Sequence, residues 1–323
     1  MGIQRHPVGR VDSMRIAVVT DSTADLDAGW LRQHGVRTVP LTVEWGGESL
    51  RDRIDLTHDD FVRRLQSSRD LPRTAAPAPG VFAALYRTLL VEEAYDRILS
   101  IHIAGSLSAT VRAAELAARL TDKERITVID GQSASLGTAI LVWWAVRRTA
   151  AGADPAQIAE EVAILSQRTV LVLAPVTLEY LARGGRIGQA AHLVGKLLNM
   201  TPILELDHAT IRPVRKVRGE RQMVPAILQQ IRLKVPENSP VLAALSQSQN
   251  ALAVKELEAG LRASYRLAGL LQGTIGPVIA THVGPGAYGA IVCPLTPQDL
   301  AKWQLGDDAP DSPPATGPRR EDG

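Results

Sequence analysis

Arg15-Ile16-Ala17-Val18-Val19 is a short apolar run that gives way to Thr20-Asp21-Ser22-Thr23-Ala24-Asp25. A run this short and rich in branched residues reads as a buried strand. Ser22, with an acid three positions later, reads as a capping box opening a short helix. The same succession recurs along the chain. Residues 36–45 are expected as a second strand, 57–66 and 79–90 as helices, 97–104 as a strand leading into a helix over 107–120, and 126–130 as a further strand. Strands alternating with helices predict an α/β fold with a mostly parallel sheet covered on both faces.

Residues 136–151 form a largely apolar helix that includes Trp143 and Trp144, a pattern for burial between layers. Asp154 then caps a helix to about residue 167. A second unit starts at Thr169: strand 170–174, two helices, strand 203–206 turning through a hairpin into Val214, helix 222–234 and strand 241–245. Val254, Leu257 and Leu261 have the spacing of an amphipathic helix. Strands near Leu267, at 278–283 and at 290–293 complete the unit, which predicts a mixed sheet. The expected organisation is two α/β domains, 14–168 and 169–305, between disordered segments at 1–13 and 306–323.

Apolar residues make up 45% of the 323, enough for a sizeable core, and a formal charge of +2 gives no strong pull toward nucleic acid or anionic membrane. The single cysteine, Cys293, excludes an internal disulfide and a cysteine-based zinc cage. The first 13 residues lack the apolar centre of a signal peptide, and the longest apolar run, 139–146, is far short of a spanning helix. A cytoplasmic protein is expected.

No glycine-rich loop ends in Lys-Ser/Thr, and no His/Glu cluster has metal-ligand spacing, so neither a nucleotide cradle nor a metal site is expected. Gly284-Pro285-Gly286-Ala287-Tyr288-Gly289 matches a dinucleotide fingerprint, but a strand and not a helix is expected after it. Ser108, where a strand turns into a helix, suits an ordinary cap or an anion pocket. As a nucleophile it lacks the Gly-x-Ser-x-Gly elbow. Thr74 sits in a proline-bracketed loop and either caps the next helix or points at a ligand. His282 reads as a core histidine at a strand end, or as a site residue given the glycines that follow it. Arg183 and Arg186 flank a helix-stopping Gly184-Gly185 and suit an anionic head group or a protein partner. Arg212, Arg215, Lys216, Arg218 and Arg221 read as a solvated face or a docking surface.

Taken in order, these motifs resemble the DegV family. The resemblance is carried by Val19-Thr20-Asp21-Ser22-Thr23-Ala24-Asp25, the Thr74 loop, Leu107-Ser108-Ala109-Thr110, Val128-Ile129-Asp130, the segment 181–187 and His282-Val283-Gly284-Pro285-Gly286, over residues 14–294. It implies a long-chain fatty acid buried between the two domains, with no cofactor. It also implies a role as the binding subunit of a bacterial fatty acid kinase, in which a separate chain phosphorylates the bound carboxylate and this chain catalyses nothing alone. By that resemblance Thr74 and Ser108 hydrogen-bond the carboxylate, and His282 orients them from behind. The alternatives are a hydrolase using Ser108 and His282, or a carrier of another apolar ligand. The chain departs from the family pattern at Ala75, Ala76, Ala109, Gly131 and Thr201. The first two remove polar groups beside the expected carboxylate.

Overall fold

In the computed structural model, which describes residues 14–68, 70–195 and 200–305, the first apolar run becomes β1 (Ile16–Asp21), buried at every position. The expected disordered segments at 1–13 and 306–323 lie outside the described residues. The chain continues through α1 (Ala28–Gln33), β2 (Arg37–Val39), β3 (Thr42–Trp45), β4 (Glu48–Arg51), α2 (His58–Ser67), β5 (Arg73–Ala75), α3 (Pro79–Arg87), β6 (Arg97–His102), α4 (Thr110–Thr121) and β7 (Ile126–Asp130). β1 pairs in parallel with β2 on one side and β6 on the other, and β7 extends the sheet beyond β6. Ala17, Val19 and Ile98 pack beneath Phe82 and Tyr86 of α3 and Ala114 and Ala117 of α4. The alternate residues, Ile16, Val18, Leu99 and Ile101, face the main core, as the two-residue period of a strand dictates.

The chain then runs through α5 (Leu136–Ala150), α6 (Pro155–Arg168), β8 (Val170–Ala174), α7 (Glu179–Arg183), β9 (Thr201–Asp207), β10 (Thr210–Val217), α8 (Met223–Lys234), β11 (Pro240–Gln247), α9 (Ala251–Ser264), β12 (Arg266–Thr274), α10 (Pro277–Val283), β13 (Tyr288–Pro294) and α11 (Pro297–Gln304). The second sheet has the order β10-β9-β8-β13-β11-β12; its pairs are antiparallel except β11 with β12. Val172, Ala243 and Leu245 point outward beneath Ile227 and Ile231 of α8 and Leu257 and Leu261 of α9. Leu171, Ala244 and Ile291 point inward, into the core shared with the first sheet. The fold is thus α/β, with a parallel and a mixed sheet.

α5 joins the two halves. It packs on β1 and β6 of the first sheet and on β11, β12 and β13 of the second, which is why it is apolar all round. Trp143 lies against β12 at Gly269, and Trp303 of α11 closes over it edge-on at 4.7 Å while stacking on Trp144 at 5.7 Å.

Several expectations about elements need correction. The single strand at 36–45 is two, β2 and β3, because Pro40 has no N–H for a ladder; the next amide, Leu41, donates to Ser22 Oγ at 3.0 Å. Ser22–Ala24 is a single 3-10 turn capped by Asp21, not a capping box, and Asp25 takes φ +56° with its side chain turned elsewhere. The helix expected from 107 starts at Thr110, leaving Ser108 in the preceding turn. Residues 278–283 are not a strand but part of α10: Pro277 fixes a helical first turn, and an apolar run this short has no period of its own. α11 was not anticipated, although Thr296 and Asp299 form a reciprocal capping box.

A Cβ at Gly269 would lie 2.5 Å from the Trp143 ring and 3.1 Å from the Leu242 side chain. Gly269→Val should therefore lower stability by about 1–3 kcal/mol through overpacking, read as a lower urea midpoint at unchanged slope. A midpoint equal to wild type would show that Trp143 is not fixed on β12.

Candidate functional site

In α/β sheets the space outside the carboxyl ends of parallel strands is where loops converge on a ligand. Here β6 and β7 run out into residues 103–109 and 131–135, which meet the inner face of the second sheet without filling the gap. The resulting cavity holds about 1060 Å³ of atom-free space, counting the part open to solvent. Its walls are chiefly aliphatic: Leu171 and Leu173 of β8, Leu206 of β9, Ile211 of β10 and Ile291 of β13 on one side, Leu107 and α10 on the other.

Thr74, Ser108, Arg186 and His282 all line this cavity. Thr74 is held by β5, whose pairing sets it opposite Val43 of β3. Its Oγ1 lies 2.8 Å from Nε2 of His282, in the last turn of α10. The other ring nitrogen, Nδ1, has no hydrogen-bond partner among the described residues and faces Gly184, where a Cβ would intrude to 2.1 Å. Burial, and then the charge of Arg186, push the His282 pKa down to about 4, so the ring is neutral at pH 7 and carries one N–H. An orphaned buried N–H costs more than an orphaned lone pair, so the proton belongs on Nε2. His282 then donates to Thr74, and the Thr74 hydroxyl hydrogen is free to be donated into the cavity.

Ser108 Oγ lies 2.8 Å from Thr110 Oγ1 and accepts from the Thr110 amide. It has no bond to His282, so the geometry gives Ser108 no general base and offers the hydrolase alternative no serine–histidine pair. The Arg186 guanidinium donates to the carbonyls of Leu107 (3.0 Å) and Gly184 (2.6 Å), tying the Ser108 turn to the end of α7. Thr74, Arg186 and His282 also border a second, more polar cleft with Arg73, Asp70 and Arg183. Arg183 lines that cleft and not the aliphatic cavity. On β10, Arg212, Arg215 and Lys216 are exposed, as is Arg218 just beyond it, and Arg212 pairs with Asp207. The dinucleotide fingerprint follows α10 and runs into β13, so no helix opens on its glycines. Among the described residues no three or more His, Cys, Asp or Glu side chains are grouped to hold a metal ion, and no helix is long and apolar enough to cross a membrane.

Sequence reasoning missed how α10 is fixed. The Gly276 amide donates to Asp25 Oδ1 at 2.9 Å and the Val278 amide to Asp52 Oδ1 at 3.3 Å, while His58 Nδ1 meets the Ile275 carbonyl at 2.7 Å. Ser135 Oγ and Arg53 also bind Asp25. Two acids from the first half therefore hold the amino end of the helix whose carboxyl end carries His282. Asp25 stands in an opening motif that the sequence did flag, but its partner lies 251 residues away. Burial raises Asp25 to about 7, despite Arg53, Ser135 and Gly276, and raises Asp52 to about 6.

Comparison with known proteins places this arrangement. Residues 15–295 match the family model described as an uncharacterised protein of the DegV family. A DegV domain-containing protein of Deinococcus radiodurans is 32% identical, the match covering 88% of this chain and all of that one. A fatty-acid-binding DegV family protein from Thermus thermophilus superposes with TM-score 0.83 at 36% identity, covering 87% of this chain and 100% of that one. DegV of Bacillus subtilis, a fatty acid binding protein, superposes with TM-score 0.76 at 29% identity, over 88% and 100% of the two chains.

Both buried acids hold their protons more tightly in the folded chain than at the ordinary 3.8. Their contribution is therefore full below about pH 4 and is lost as pH rises through 6 to 7. Asp25→Asn keeps an acceptor for Gly276 but cannot titrate. Between pH 5 and pH 8 the stability of wild type relative to Asp25→Asn should fall, seen in urea midpoints taken at each pH. A constant gap would mean that Asp25 is ionised throughout.

Proposed function

The chain belongs to the DegV family, and from that premise we propose that it binds one long-chain fatty acid and presents the carboxylate to a separate kinase subunit, without catalysing a reaction alone. The observation that carries this reading is an aliphatic cavity whose Thr74, Arg186 and His282 also border a polar cleft. Such a cavity takes a hydrocarbon tail and leaves the head group at the boundary. Fifteen buried carbons at ~0.8 kcal/mol each amount to about 12 kcal/mol gross, so the tail supplies the affinity.

The head group then needs orientation more than attraction. Thr74, with its oxygen occupied by His282, donates to one carboxylate oxygen, and Ser108 is a second hydroxyl on the same cavity. Arg186 spends its Nε hydrogen and one Nη1 hydrogen on two backbone carbonyls, which leaves it fewer donors for a bidentate fork with the ligand. One carboxylate oxygen thus keeps a lone pair with which to attack a phosphorus atom. The nucleotide comes with the partner, and the cleft of Arg73 and Arg183 is the side from which the partner reaches the carboxylate. A nucleotide-dependent step of this kind belongs in the cytoplasm.

Protein purified under mild conditions should release close to one acyl chain of roughly 14–18 carbons per molecule on denaturation, the size such a cavity encloses. Replacing Thr74 or Ser108 with Ala removes one charge-assisted bond, so binding should weaken by roughly 1–3 kcal/mol without being abolished. Acyl-phosphate formation with an added kinase should fall further, because attack depends on alignment as well as occupancy. Absence of any acyl chain sinks the fatty-acid reading. Acyl phosphate made by the pure protein from ATP sinks the division of labour.

A further inference from the structure

The cavity is not aliphatic throughout. Ser135, at the start of α5, and Ser246, on β11, both line it and are 6% and 5% exposed. Their hydroxyl oxygens lie 3.2 Å apart, and Ser135 Oγ donates to Asp25 Oδ2 at 2.5 Å. With Asp25 ionised, above about pH 7, the single hydroxyl hydrogen of Ser135 goes to Asp25. The bond between the serines is therefore donated by Ser246, whose own oxygen receives no hydrogen bond among the described residues. A free acceptor is left on the wall of an aliphatic cavity.

The backbone is strained to make this arrangement. Ser135 takes φ +51° and ψ −139°, a region that side chains with a Cβ rarely enter and that persists only where the surroundings enforce it. The position along the cavity also follows from the fold. α10 runs from Gly276, bound to the same Asp25, to His282 beside Thr74. Six residues of helix span about 9 Å. A hydrocarbon zigzag of ~1.5 Å bonds covers that distance in roughly seven carbons. For a tail that runs alongside α10 from Thr74, the serine pair lies beside the middle of a long chain and not beside its carboxylate.

We propose that Ser246, backed by Ser135, is a specificity-determining acceptor for a mid-chain hydroxyl, so that the protein takes hydroxylated long-chain fatty acids as well as unsubstituted ones. This rests on the fatty-acid reading above. Burying a ligand hydroxyl against aliphatic walls alone is heavily penalised, and one matched acceptor removes most of that penalty at one position along the chain.

Competition binding with octadecanoic acid and its hydroxylated isomers tests the proposal. The isomer hydroxylated near its middle should bind within about threefold of octadecanoic acid, and isomers hydroxylated next to the carboxylate or at the terminal carbon at least about tenfold more weakly. In Ser246→Ala the ratio of mid-chain-hydroxylated to unsubstituted affinity should fall about tenfold, a ratio that corrects for any general effect on folding. A mid-chain isomer that binds wild type as poorly as the terminal one overturns the proposal, as does a ratio unchanged by Ser246→Ala. If octadecanoic acid does not bind either, the fatty-acid reading fails and takes this proposal with it.

Discussion

Asp25 has no exposed surface, and its carboxylate accepts from the Gly276 amide, the Ser135 hydroxyl and the Arg53 guanidinium. These groups come from the start of α10, the start of α5 and the loop after β4, so one side chain ties together the parallel sheet, the central helix and the wall of the cavity. Asp52 adds a second bond to the first turn of α10. Two buried carboxylates are an expensive way to fix a short helix, since burial favours their neutral forms. What the arrangement provides is placement. α10 supplies His282 at one end, and at the other its tether is the network that includes Ser135.

In the proposed function, a neutral His282 keeps the site from competing for the ligand's charge. Burial and Arg186 keep it neutral, and Gly184 gives Nδ1 room but no partner. The remaining Nε2 proton can then serve Thr74. A charged imidazolium at this position would pair with a carboxylate and hold it tightly, whereas a neutral ring relays direction through a hydroxyl and leaves the anion reactive. The Ala75 and Ala76 departures fit a head-group end supplied by few donors, in which Thr74 has no neighbouring hydroxyl on its own strand.

Much of this was legible in the sequence because the strands are short apolar runs with helices of clear period between them. β7, β8 and α5 fall within a residue of expectation, β1 runs two residues further than its apolar run, and Val254, Leu257 and Leu261 form the buried stripe that their spacing implied. α10 was misread because the branched residues Val278, Ile279 and Val283 favour strands locally, while the forces that make it a helix, Pro277 in its first turn and two distant carboxylates, leave no local period. The site residues were read one at a time, and the fold brings Thr74, Ser108, Arg186 and His282 to one cavity. Ser135 and Ser246 had no signal of their own; they stand next to each other only because α5 meets β11.

In the proposed function the head group sits at the Thr74–His282 end and the tail runs over the leucine-lined face of the second sheet. A crystal structure with a fatty acid brominated at its terminal carbon tests it directly, because anomalous scattering locates the tail independently of the carboxylate. A carboxylate oxygen is expected within hydrogen-bond distance of Thr74 Oγ1, with bromine inside the cavity and away from the Arg73–Arg183 cleft. Bromine in that cleft, or a carboxylate bound at Ser135 and Ser246, would contradict it.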